Sequence, residues 1–236
     1  MGDTQRPTLS RDLIVTTAVR LADDAGIAQL SMRRLGAELG VEAMSLYHHL
    51  RDKSALLDAM VDLVFAQIED PEGPDWRDGL ARRAASQRAT LNRHPWALEL
   101  VESRATPGPA TLRHHDAVLG YLRSAGFGVR AAGHVYSLVD AYVYGFALQE
   151  RQLPFDSTDA PDVARAMLDA NPMADLPHLS EFTREVVVHG YDYTAEFSVG
   201  LDVLLDAVAR LRTSADDVFD RLDAKYAQTA EHENPT

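Results

Sequence analysis

Two short helical patterns on either side of a single glycine, between residues 31 and 50, constrain this chain more than any other feature. The run SMRRLGAELG places Leu35 and Leu39 one turn apart, and VEAMSLYHHL places Leu46 and Leu50 at the same spacing. Gly40 permits a sharp turn, Val41 fills the angle beneath it, and Gly36 leaves room for a second helix to cross closely. Neither pattern exceeds three turns, so neither helix is stable alone, and flanking helices must hold the pair. The flanks supply them. Ser10 caps a helix running to residue 25, with Ile14, Ala18, Leu21, Ala22 and Ala25 on one face and Gly26 as its stop. Asp52 caps another, which carries Leu56, Leu57, Met60, Leu63 and Val64.

The helical period continues to the end, with no convincing strand alternation, and the expected fold class is all-α. The run DPEGP at 70–74 breaks the chain into an expected head, residues 1–70, and body, residues 71–236. In the body, helices are expected at 76–92, 96–104, 109–124, 129–151, 178–188 and 194–212. Residues 152–177, rich in Pro and Asp, read as a long mobile loop with a helical turn or two near 162–168, and a short helix is expected after residue 213.

The distribution of charge separates these parts further. Residues 1–53 hold seven basic and seven acidic side chains, so the whole net charge of −13 lies beyond residue 53. A neutral segment on an otherwise acidic chain can meet a polyanion only through that segment. Without cysteine, disulfides, thiolate zinc sites and cysteine nucleophiles are excluded. The first residues lack the apolar stretch of a signal peptide, and the longest apolar stretch, 141–148, is too short to span a bilayer, which places the chain in the cytoplasm by expectation.

A helical pair of this form is the pattern of a helix-turn-helix whose second member enters the DNA major groove, with an ordinary helical hairpin as the alternative. The outward residues of the second member are Ala43, Met44, Ser45, Tyr47, His48 and His49; Tyr47 and His49 could instead belong to the core. Adjacent histidines, His48-His49 and His114-His115, diverge by about 100° on a helix and chelate nothing. Asp23-Asp24 reads as a solvated helix face. There is no glycine-rich phosphate loop, HExxH or GxSxG, so neither catalytic residues nor metal or cofactor sites are expected.

The runs AGI at 25–27, LSMRRLG at 30–36, LGVE at 39–42, SLYHH at 45–49 and DKSALLD at 52–58 resemble the DNA-binding domain of the tetracycline-repressor (TetR) family. The likeness extends through WRD at 76–78, the Arg104–Pro107 turn, residues 122–127, Gly145 and residues 197–205. It implies an all-α homodimer that binds a palindromic double-stranded operator and leaves it when a small molecule occupies the body. Arg33 matches the family's base-contacting arginine, suited to bidentate pairing with guanine, and Ser45, Tyr47, His48 and Lys53 match phosphate- or base-contacting positions. Ala43 and Met44 depart from the family's polar pair and favour thymine methyls. Val101 and Gln149 stand where the tetracycline repressors hold magnesium with histidine and glutamate, so a magnesium–tetracycline site is not expected. Two further drug-contacting positions appear as Glu69 and Arg83.

Facing residues of several body helices give an expected ligand lining of Arg83, Gln87, Val101, His115, Val118 and Leu119. His134, Ser137, Asp140 and Tyr144 complete it. Asp140 lies on a helix apolar around its circumference and needs a partner, either an internal arginine or hydroxyl or a ligand. Phe197, Leu201, Leu204, Leu205, Val208 and Leu211 form a broad apolar face, part of it buried internally and the rest paired with a second copy in a four-helix bundle. The expected function is a ligand-responsive transcriptional repressor; the alternative is a small-molecule sequestering protein with vestigial DNA binding.

Overall fold

A computed structural model describes residues 8–101, 107–153, 158–170, 175–212 and 219. Among them there are helices and turns and no strand. The chain forms two compact units, residues 1–136 and 137–236.

In the first unit, α1 (Arg11–Ala25), α2 (Met32–Leu39), α3 (Ala43–Leu46) and α4 (Lys53–Phe65) begin where local chemistry dictates. The side chains of Ser10, Ser31 and Asp52 accept the N–H of Leu13, Arg34 and Ala55 at 3.2, 3.2 and 2.8 Å. The Ala55 N–H, and then Arg51, hold the Asp52 carboxyl below the usual range. Gly40 ends α2 in the left-handed conformation (φ +70°), with the Val41 N–H reaching back to the Gly36 carbonyl at 2.9 Å. α3 is shorter than the second helical pattern, whose period runs on to Leu50. Glu42 offers it no side-chain cap, and beyond Leu46 the bonds tighten to three-residue spacing, Tyr47 to Met44 and His49 to Leu46. Ile14, Ala18, Leu35, Leu46, Leu56 and Met60 are fully buried and form the core of this bundle.

The same unit continues with α5 (Trp76–Arg93), a 3₁₀ turn (Pro95–Ala97), α6 (Leu98–Val101) and α7 (Pro109–Ser124). The expected helix at 96–104 is thus a turn joined to a short helix; its last three residues and most of the Arg104–Pro107 turn lie outside the described residues. α8 (Val129–Gln152) carries the boundary between the units. The second unit adds α9 (Ala160–Ala170), α10 (Pro177–His189) and α11 (Tyr193–Ala209). α9 corrects the expected loop. Pro161 sits in its first turn, where its missing N–H costs nothing, and Ala160 and Ala164 are buried against α10, so packing stabilises a segment whose composition reads as loop. The helix expected after residue 213 lies outside the described residues.

Candidate nucleic-acid interface and ligand sites

The close crossing of α2 and α3 rests on one missing methyl. A Cβ at Gly36 would stand 2.9 Å from the Val41 carbonyl oxygen and 3.1 Å from the Ala43 nitrogen, both backbone atoms. With the crossing fixed, Leu46 and Leu50 point inward and the remaining α3 side chains outward. Met44 is 69% and Tyr47 41% exposed, His48 and His49 are exposed, and Ala43 and Ser45 are half-buried. The core alternative for Tyr47 and His49 therefore falls away. Arg33 is exposed on α2. Lys53, also exposed, does more than the sequence suggests: its Nζ donates to the Leu30 carbonyl at 2.8 Å, tying the start of α4 to the turn before α2.

The exit from α4 is tied to the helices that follow. Asp62 receives the N–H groups of Ala110 and Thr111 and the Thr111 hydroxyl, so a side chain of α4 caps the beginning of α7. Asp23 is not a solvated face residue. It accepts the Trp96 indole N–H at 2.6 Å and pairs with His94 at 2.9 Å, while the other His94 nitrogen lies 3.2 Å from Gln67. Beyond α4, the Tyr121 hydroxyl reaches the carbonyls of Glu72, Gly73 and Asp75 in the joint, and burial pushes its phenol pKa up.

A buried polar group gathers below that joint. Arg83, with no exposed surface, donates from Nε to His114 Nε2 at 3.1 Å, and His114 Nδ1 donates to Asp70 at 2.8 Å. An imidazole that accepts on Nε2 carries its proton on Nδ1 and is neutral. The Arg83 guanidinium also lies over the Tyr136 ring, 5.5 Å from its centroid, and His115 packs edge-on between Tyr136 and Phe65. One helical turn from Arg83, Gln87 is fully buried and neither atom of its amide has a hydrogen-bond partner.

Among the other expected lining residues of this unit, Val118 is fully buried, Val101 and Leu119 are half-buried and His134 is exposed. In the second unit Ser137 is exposed, Tyr144 half-buried, and Asp140 buried and engaged with a neighbouring group. None of the ten residues lines the open cavity of about 670 Å³ that the second unit forms between the end of α8, α9, α10 and residues 191–193. Sequence reasoning missed this cavity because one wall is α9, which was read as loop. The signal available was the spacing of Ala160, Val163, Ala164 and Met167 along one helical face.

Residues 14–60 match the tetR family of bacterial regulatory proteins, and residues 69–212 match the tetracyclin repressor-like C-terminal domain. The chain belongs to the TetR family. As a TetR-family member it is a DNA-binding transcriptional regulator, and α2 and α3 are its helix-turn-helix. It is similar to an HTH-type transcriptional regulator of Saccharopolyspora erythraea, 35% identical over 209 residues and 86% of each chain. It is also similar to the HTH-type transcriptional repressor DrrR1 of Streptomyces coeruleorubidus, 38% identical over 60% of this chain and 54% of that one. Among solved structures, the TetR-family protein ActR of Streptomyces coelicolor in complex with actinorhodin is 26% identical, with a TM-score of 0.74 over 88% of this chain and 100% of that one.

Proposed function

We propose that this TetR-family regulator is a cytoplasmic, non-enzymatic repressor. It binds a palindromic operator as a homodimer through residues 1–70 and leaves it when a small molecule other than magnesium–tetracycline occupies residues 71–236. The observation that carries the ligand half is Gln87. A buried amide with both donor and acceptor unmatched costs roughly 1–3 kcal/mol for each group left so, and a ligand offering a complementary donor and acceptor removes that cost. The relative solved with actinorhodin supports a small organic occupant. Arg33, Ser45, Tyr47, His48 and Lys53 are the proposed DNA contacts, with Ala43 and Met44 against thymine methyls and His49 beside them.

Part of the apolar face of α11 is buried internally, as the sequence reading allows. Phe197, Leu201, Leu205 and Val208 are buried within the chain, while Val199 and Val203, one turn apart on α11, stay 61% and 65% exposed and Leu148 on α8 45% exposed. These exposed side chains are the proposed contact with a second copy. Selection of operator sequences from random duplex DNA tests the reading: enrichment of an inverted repeat supports it, and enrichment of nothing favours the sequestering alternative. Micromolar tetracycline with magnesium is expected to leave the selected complex intact, because Val101 and Gln149 offer the metal no charged ligand; release would overturn that assignment.

A further inference from the structure

We propose that His94 is a positioning residue for the helix-turn-helix: its ring, protonated on both nitrogens, ties the end of α1 to the residues that follow α4 and makes operator binding depend on pH. His94 sits where α5 gives way to the 3₁₀ turn and is 9% exposed. Its Nδ1 stands 2.9 Å from the Asp23 carboxylate of α1, and its Nε2 3.2 Å from the side-chain oxygen of Gln67, just beyond α4. The Gln67 nitrogen donates to the Leu63 carbonyl at 3.4 Å, which leaves the amide oxygen towards the ring. Both ring nitrogens therefore face acceptors. A neutral imidazole has one N–H to give and sets a lone pair against the other oxygen, whereas the doubly protonated ring serves both. The Trp96 indole N–H, on the same Asp23 oxygen, holds that carboxylate in either state. The charge-assisted bond to Asp23 is the stronger of the two, so the bond to Gln67 is the one that the second proton controls.

Among the described residues no other ionisable group bonds the ring. Asp24 of α1 turns to Arg20 and Arg93 of α5 to Thr90, while Arg88 of α5 and Glu99 of α6 make their bonds elsewhere. The Arg20–Glu38 ion pair joins α1 in turn to α2, so the ring holds part of the scaffold on which the helix-turn-helix sits. An imidazole exchanges its proton between roughly pH 5 and 8. Because the arrangement favours the protonated ring, the tie is complete at the acid end of that range and weakens as pH rises. This goes beyond the proposed repressor reading, in which His94 has no part.

The full-length protein is titrated with its selected operator across the imidazole range. From the acid to the alkaline end, affinity is expected to fall about five-fold further for the native chain than for His94→Gln. The pH dependence left in that variant belongs to His48, His49 and the other histidines. Gln67→Glu, at an exposed position, gives the second proton a charged acceptor and should move the fall upward by about 0.5 pH unit. Two readouts need no DNA, so their failure is distinct from failure to find an operator. Nitrogen-15 resonances of the ring, assigned by their loss in His94→Gln, should show both nitrogens protonated at the acid end and Nε2 alone bare at the alkaline end. Urea unfolding should lose more stability over the same range for the native chain than for His94→Gln. Parallel affinity profiles for those two proteins would overturn the assignment, as would equal losses of stability, a bare ring nitrogen at the acid end, or a Gln67→Glu profile that does not move.

Discussion

The carboxylate of Asp62 accepts two hydrogen bonds from Thr111, one from its N–H at 2.8 Å and one from its hydroxyl at 3.0 Å. Asp62 belongs to the helix that leaves the DNA-binding head, and Thr111 to the first turn of a helix of the body. The cap is therefore a rigid link between the two, and Gly108 makes it possible, since a side chain there would overlap the carboxylate.

Asp62→Ala should lower stability by about 1–2 kcal/mol, the usual value of a lost cap, and Gly108→Ala by a comparable amount. Because both act on one contact, the double variant should lose clearly less than the sum. Urea unfolding of the four proteins checks this, and additive losses would show the two sites to be independent.

Gly36→Ala brings a methyl against backbone that cannot rotate away, so α3 must shift. The expected cost is about 1–3 kcal/mol of stability, accompanied by loss of operator affinity far beyond what the change in folded fraction explains. Thermal unfolding and operator titration of the same preparation separate the two effects.

Arg33→Ala should cost about 1–3 kcal/mol of operator affinity and relax preference at one guanine per half-site, as a bidentate base contact requires. Lys53→Ala should weaken all sequences alike. Because its Nζ also holds the Leu30 carbonyl, it should in addition destabilise the folded protein by about 0.5–1.5 kcal/mol. Base-preference profiles of the two variants give the test; an unchanged profile for Arg33→Ala would assign that arginine to phosphate.

Operator affinity should fall with salt less steeply than for a strongly basic domain. Residues 1–53, which contain the helix-turn-helix, are electrically neutral overall, and each phosphate they neutralise contributes about −0.9 to the slope of log affinity against log salt. A slope near −9, the value for about ten contacts, would contradict a sparing use of phosphates.

What could be read from the chain itself follows the range of the interactions involved. Ser10, Ser31 and Asp52 cap their helices through groups three residues away, and Gly40 turns through its own backbone, so local sequence is sufficient to place them. The partnership of Asp23 with His94 and Trp96 spans more than 70 residues, and that of Arg83 with His114 spans 31, so the bare sequence left Asp23 as a solvated residue. Arg83 and Gln87 are legible only as expected ligand-lining positions, and the unmatched amide of Gln87 depends on neighbours the local sequence does not name. The cavity against α9 stayed hidden because that helix owes its stability to α10 rather than to its own composition.

The Tyr121 hydroxyl stands within 2.8–3.2 Å of three carbonyls, those of Glu72, Gly73 and Asp75, yet it has a single proton to give. At any instant one carbonyl receives it and the others rely on attraction alone. Rotation of the hydroxyl hydrogen alone exchanges one acceptor for another while the phenol oxygen stays in place. Tyr121 thus ties α7 to residues 72–75 through one proton shared among several acceptors, a tie less dependent on any single carbonyl than the Asp62 cap is on Thr111.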